Sequence, residues 1–268
     1  MNETELLFTE ILNYNQLDLY LNKDISLDKA QASLISEVLK RRIQGQPLQY
    51  ILGKTEFMGL EFKVTPDVFI PRPETEILVE TVIKQSSIIH HPSSVPNILD
   101  IGTGSGCIAI SLAKLLSNVK IIATDISSSA LKIAQRNALL NNLDDKIKFI
   151  NSDLFTSYEL RFTNYDIIVS NPPYIPASEI EVLQAEIKYE PRIALDGGKN
   201  GLDFYRRIIK ETPSYLKKGG FLIMEMGFNQ REAIKNIFQK SRVFQIIEFV
   251  KDYNNIDRVV VAQKKKDG

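Results

Sequence analysis

Asn171-Pro172-Pro173-Tyr174 closes an apolar run, Ile167-Ile168-Val169, that reads as a buried strand. Asn171 offers a side-chain carbonyl oxygen. Pro172 offers a backbone carbonyl, and neither proline has an N–H to donate. The result is a stiff lip rich in acceptors, suited to a group that donates two hydrogen bonds, an –NH2. Tyr174 adds a flat face on which a planar group can stack. The implied target is an amino group on a planar carrier, either a carboxamide or the exocyclic amine of a base. Such nitrogens are poor nucleophiles because their lone pair is delocalised. Acceptors that hold both hydrogens orient the nitrogen and support positive charge as an in-line displacement proceeds. No strong base is needed before attack. A plain turn after a strand would account for the prolines, but not for Asn171 and Tyr174 beside them.

A second stretch, "NILDIGTGSGCIAISLA", reads as strand, glycine-rich turn and helix. Gly102, Gly104 and Gly106 let the backbone approach a ligand without Cβ clashes, and the turn feeds a helix N-terminus. The spacing is G-x-G-x-G, not the G-x-G-x-x-G of dinucleotide folds, and Cys107 stands where a phosphate loop would need lysine. Asp125 ends the next strand, placed to accept from ribose hydroxyls. Asp153 ends the third, placed to accept from an adenine amino group, with Leu154 and Phe155 as an apolar wall. Each residue alone is explained by a turn or cap; in order, the three strand ends describe an adenosine site. Asp100, just before the loop, suits a cation. S-adenosylmethionine carries a sulfonium and an ammonium, whereas NAD carries a pyrophosphate that a carboxylate would oppose.

These features need elements to hold them. From about residue 97 strands and helical patterns alternate, with strands expected at 97–101, 119–124, 146–150, 165–170, 220–225, 243–250 and 257–261. Alternation predicts a mainly parallel sheet with helices on both faces. The short connection between the last two strands requires one of them to be antiparallel. Ligands in such sheets bind where strand order reverses. If strands one to three run outward, strand four returns to the other side of strand one, and the glycine loop and Asn171 face one pocket. Before this region, Pro73, Glu74 and Glu76 fit a helix start. Residues 48–70, punctuated by Gly53 and Gly59, read as one or two hairpins. Residues 1–45 read as helical, with Leu7, Ile11 and Tyr14 on one stripe. Leu34, Ile35, Val38, Leu39 and Ile43 form another, capped by Ser26 and ended by Gly45.

The bulk composition narrows the function. The chain has 268 residues, 44% hydrophobic and 25% charged, with Lys plus Arg at 33 and Asp plus Glu at 33. That balance argues against a substrate held mainly through a phosphate backbone. The single cysteine excludes an intrachain disulfide and fits a reducing compartment. The first residues lack the pattern of a signal peptide, and no run approaches the ~18 apolar residues of a membrane span. The expected location is the cytoplasm. His90 and His91 sit side by side with no zinc spacing and read as a solvated loop pair.

"DIGTGSG", "NSDLF", "SNPPYIP", "YEPRIALDGGKNGLDFYRRI" and "QPLQYILGKTEFMGLEFKVTPDVFIPRPETE" together resemble the peptide chain release factor glutamine methyltransferases (the PrmC/HemK family). The resemblance runs from about residue 46 to the end; the N-terminal part matches in character and size. It implies a class I, Rossmann-like, seven-stranded S-adenosylmethionine-dependent methyltransferase domain over residues 73–268. A β-hairpin linker at 48–72 and a helical domain at 1–47 that docks the release factor would precede it. The implied reaction is N5-methylation of the glutamine amide in the Gly-Gly-Gln motif of class 1 release factors, yielding S-adenosylhomocysteine. Carried over, Gly102, Thr103, Gly104, Ser105 and Gly106 hold the methionine part, Asp125 the ribose, and Asp153 with Leu154 the adenine. Asn171, also a cofactor contact, receives the glutamine with Pro172, Pro173 and Tyr174; Asn171, Pro172 and Tyr174 carry the chemistry. Phe69 and Arg72 join the pocket lining. Some members carry tryptophan at the position of Leu154, so Phe155 is a second candidate for covering the adenine. The expected partner is the release factor alone, with no nucleic acid requirement, no membrane and a monomeric enzyme. Three other readings stay open. They are methylation of a ribosomal-protein glutamine, methylation of an exocyclic amine in DNA or RNA, and a cofactor-binding scaffold without activity.

Overall fold

The computed structural model describes residues 3–12, 17, 21, 26–89 and 95–266. His90, His91 and Tyr14 lie outside the described residues.

Two helices open the described chain, α1 (Glu3–Leu12) and α2 (Lys29–Ile43). Asp28, not Ser26, caps α2: its side chain accepts from Gln31 N at 2.8 Å, and Gln31 returns the bond to Asp28 N at 3.0 Å. A carboxylate with a glutamine three residues on satisfies two end N–H groups, which a lone serine cannot do. Gly45, at φ 87, follows the helix end. Only Ile35 and Val38 of the expected α2 stripe are buried; Leu34, Leu39 and Ile43 stay exposed. The reason is the small size of the unit, in which Val38 packs on Leu7 and Leu48 and Ile11 packs against that cluster.

Residues Leu48–Leu52 form a short helix, α3, where the sequence predicts hairpin strand, ended by Gly53 in the left-handed region. One hairpin follows, β1 (Lys54–Phe57) with β2 (Leu60–Lys63). Its turn residues Met58 and Gly59 have φ 51 and 71, the positive pair that matches strand twist in a two-residue turn. Phe57 and Phe62 bury against the core of the main domain, and Glu76 accepts from Met58 N at 2.6 Å. Glu76 belongs to α4 (Pro73–Ile89). Its place in the first helical turn thus carries a second task that the helix-start reading had missed.

The remainder alternates as β3 (Asn97–Ile101), α5 (Cys107–Leu115), β4 (Lys120–Asp125), α6 (Ser128–Leu140), β5 (Ile147–Asn151) and β6 (Tyr165–Ser170). Then come α7 (Asp203–Glu211), β7 (Leu216–Glu225), α8 (Arg231–Ser241), β8 (Phe244–Lys251) and β9 (Asp257–Lys264). The seven strands β3 to β9 form one sheet in the order β5-β4-β3-β6-β7-β9-β8, with β9 antiparallel to both neighbours. β7 starts earlier than expected, at Leu216, because Gly219 and Gly220 sit inside it, near a register shift opposite Tyr165–Ile167. Successive strand residues face opposite layers. Ile98, Ile167 and Val169 pack with Leu78 and Ile108 on one side. Leu99, Ile168 and Leu222 pack with Ile208 and Ile234 on the other.

Candidate active site

β3 and β6 pair in parallel, ending with Ile101 opposite Ser170. Gly102 and Asn171 therefore leave the sheet side by side, at the reversal of strand order. Between the two exits lies a cavity of about 320 Å³, enough for a small-molecule ligand. Gly102, Thr103, Gly104, Ser105, Asp125, Asp153, Leu154, Asn171, Pro172, Pro173 and Tyr174 all line it, with Phe69, Arg72 and Thr75 on the facing wall.

The loop after β3 is tied to β4, with Gly102 N and Thr103 N both donating to Thr124 O at 2.8 and 2.9 Å. Gly102 and Gly104 hold φ of 74 and 56, and a Cβ added to either would meet nothing within 4 Å. Their conformation calls for glycine, and the space above them is free for a ligand. Gly106 differs. It does not line the cavity, and a Cβ there would come within 2.9 Å of Ile110 and 3.1 Å of Ala134. Its place is in the packing of α5 on α6.

Three carboxylates have distinct surroundings. Asp125 accepts from Gly104 N at 2.9 Å and Ser127 N at 2.8 Å, which fixes both its oxygens at the cavity rim. Each oxygen keeps a lone pair for a ribose hydroxyl. Burial pushes its acidity toward the neutral form against those bonds. Asp100 is wholly buried under the loop; its Oδ2 accepts from Thr103 Oγ1 at 2.6 Å, while Oδ1 has no partner. Burial raises it to about 7. A buried, half-satisfied carboxylate below a glycine cradle suits a cation above it, so these residues fit S-adenosylmethionine. Asp153 reaches the cavity, but both its oxygens lie 2.9 Å from Arg207 Nη2. Sequence reasoning missed this arginine, 54 residues on, because no local pattern links the two. Phe155 does not line the cavity. It is buried and stacks on Tyr215 at 4.6 Å, so of the two only Leu154 faces the cavity. Cys107 lines the cavity with its thiol pushed up to about 12 by burial, which removes it as a nucleophile.

The lip is held from behind. Asn171 Nδ2 donates to Thr75 Oγ1 at 3.2 Å, and Thr75 Oγ1 donates to Glu225 Oε2 at 2.7 Å. Tyr174 Oη reaches Glu225 Oε1 at 3.4 Å. Gln230 Nε2 donates to Tyr174 O at 2.9 Å and to Gly201 O at 3.2 Å. A Cβ on Gly201 would fall 2.2 Å from Tyr174 O, and one on Gly197 2.8 Å from Pro173 O. The "DGGKNG" segment is therefore a backbone-on-backbone support for the prolines. Arg72 lies 4.8 Å from the Phe69 ring centre and pairs with buried Glu190, which also accepts from Ile70 N at 3.1 Å. "YEPRIALDGG" thus fixes the linker wall as well as the lip.

Two family models match the chain, the methyltransferase small domain over residues 72–199 and the PrmC N-terminal domain over residues 1–53. A release factor glutamine methyltransferase of Geobacter sulfurreducens is 42% identical over 96% of this chain and 87% of its own length. One of Thermodesulfovibrio yellowstonii is 40% identical over 99% of this chain and 93% of its own. Among solved structures, a methyltransferase from Pyrococcus furiosus superposes with a TM-score of 0.55 at 18% identity, covering 89% of this chain and 100% of that one. The last likeness concerns the fold alone.

Proposed function

The chain belongs to the release factor glutamine methyltransferases, and from that membership we propose how its pocket methylates a glutamine side chain of a release factor. The observation that carries the reading is the adjacency of the glycine cradle on β3 and the acceptor lip on β6. The substrate carboxamide enters with its –NH2 between Asn171 Oδ1 and the Pro172 carbonyl. The Tyr174 ring lies along the amide plane. Gly102 to Ser105 and Asp125 hold S-adenosylmethionine, which supplies an electrophilic methyl group on sulfur. Asn171 and Pro172 turn the nitrogen lone pair toward that methyl and meet the positive charge that grows on nitrogen. Once methylated, the nitrogen is strongly acidic, so its proton leaves without a dedicated base. This accounts for a pocket whose lip is built on acceptors.

The finer assignment is N5 of the glutamine in the Gly-Gly-Gln motif of class 1 release factors, by a monomeric enzyme acting in the cytoplasm without nucleic acid. Among the described residues no helix is long and apolar enough to cross a membrane. The test is to incubate the purified chain with labelled S-adenosylmethionine and, separately, a class 1 release factor, ribosomal protein and nucleic acid, then map the label. Label on the Gly-Gly-Gln glutamine, lost when that residue is changed to asparagine, is the expected result. Label on nucleic acid and none on release factor overturns it. Asn171→Ala is expected to lose turnover while largely keeping cofactor binding; equal loss of both would make Asn171 chiefly a cofactor residue.

A further inference from the structure

The lip works only if Asn171 presents oxygen, not nitrogen, to the substrate. A carboxamide side chain can sit either way round at nearly the same shape, so something must decide its orientation. Pro172 cannot, since it has no N–H. The deciding group lies on the far side. Glu225, at the end of β7, is 2% exposed and sits behind the lip. Ionised, as it is above the value of about 7 to which burial raises it, this carboxylate only accepts. It therefore takes the single hydroxyl hydrogen of Thr75 at 2.7 Å. Thr75 Oγ1 is left as an acceptor, and Asn171 Nδ2 donates to it at 3.2 Å. The amide is thereby turned, and Oδ1 remains for the pocket that Asn171 lines. The same carboxylate reaches Tyr174 Oη at 3.4 Å, so both functional side chains of the lip refer to one buried anchor.

We propose that Glu225 and Thr75 are positioning residues of the methyl transfer, a relay that fixes Asn171 with its carbonyl oxygen toward the substrate nitrogen. The relay rests on the proposed function above and extends it to residues on two other elements, α4 and β7. With the relay cut, Asn171 is free to present its –NH2 to the substrate –NH2, a donor against a donor. Affinity for the cofactor is not expected to follow, because neither residue belongs to the glycine cradle.

The test is a double-mutant cycle read on single-turnover methylation of release factor at saturating cofactor and about pH 8, where Glu225 is ionised. Thr75→Val keeps the shape and removes the hydroxyl; Glu225→Gln keeps the shape and gives Thr75 a donor to face. Each is expected to lower turnover by about 100-fold, the scale of a misaligned reacting group. The double variant should be no slower than the slower single, because both break one relay. Thr75→Ser should recover most of the loss, and binding of S-adenosylmethionine should stay level throughout. Full turnover in Thr75→Val, additive losses, or a parallel loss of cofactor binding would each overturn the proposal. Should Thr75→Val not fold by thermal melt, the cycle is run from Thr75→Ala, and Glu225→Gln alone with full turnover also overturns it. Absence of methylation by the unaltered enzyme would instead sink the functional reading itself.

Discussion

Asp100 and Glu225 are carboxylates that burial lifts to about 7, Thr103 and Thr75 respectively pulling the other way. An unfolded carboxylate ionises near ~4, so between ~4 and ~7 the folded chain holds protons that the unfolded chain has released. Stability must then fall as pH climbs through that window and level off above it. Arg258, Tyr174 and Glu74 also face Glu225, from β9, the lip and α4, and the repulsion of Glu74 works in the same direction as burial. Asp252, held below the usual range by its backbone and Arg258 bonds, acts only at lower pH. The melting temperature of the cofactor-free protein is therefore expected to decline from about pH 5 to about pH 8. In Asp100→Asn the decline should be shallower, and binding of S-adenosylmethionine at the upper pH weaker, since the charge opposite the cofactor's cations is gone. Differential scanning fluorimetry and calorimetric titration read both quantities. A melting temperature that rises with pH over this range would show that burial is not what governs these groups.

Between elements, the glycine cradle depends on a partner that local pattern does not announce. Asn137, in the last turn of α6, is fully buried; its Nδ2 donates to Lys63 O at 3.0 Å and to Ser105 O at 2.9 Å. Its Oδ1 accepts from Lys63 N at 2.7 Å. One amide thus staples the hairpin to α6 and to the cradle. Asn137→Ala would strand these groups where water does not reach them, at a cost of about 2–4 kcal/mol. Urea unfolding is expected to register that loss. Cofactor affinity should drop with it, while turnover at saturating cofactor changes little; a purely global loss with affinity intact would mean the cradle holds itself. Such links explain what was legible in the sequence. The alternation of strands and helices, the reversal between β3 and β6 and the residues at the strand ends follow from periodicity and topology, which are local or rule-bound. Asn137 to Lys63, Thr75 to Glu225 and Asp153 to Arg207 span 74, 150 and 54 residues, and only the folded chain brings them together. Local reading failed where a stronger local rule competed. Asp28 displaced Ser26 as cap, and Gly53 ended a short helix inside the stretch read as hairpins.

At the scale of the molecule, the N-terminal helices meet the chain just beyond the lip. Arg42 pairs with Glu186 at 2.8 Å, and Tyr189 Oη donates to Gln44 O at 3.0 Å. Gly45 lies so close to Ala185 that a Cβ would come within 2.9 Å of it. The segment that supports the substrate pocket thus also carries the end of α2. On each side of this seam an apolar side chain stands in solvent, Ile43 at 84% and Val182 at 80% exposure. A glutamine presented by a folded release factor comes with surrounding surface, and a net charge of +0 leaves little long-range attraction to hold it. Apolar contact at this seam is a source of affinity that does not depend on net charge. Replacing both Ile43 and Val182 by serine removes that contact and, since neither side chain is buried, should leave the melting temperature unchanged. KM for the release factor is expected to rise roughly five- to tenfold, with kcat and cofactor affinity unaltered. A glutamine-containing peptide too short to reach the seam should be methylated equally by the variant and the unaltered enzyme. If the variant loses activity on the peptide as much as on the release factor, the seam shapes the pocket and does not dock the partner.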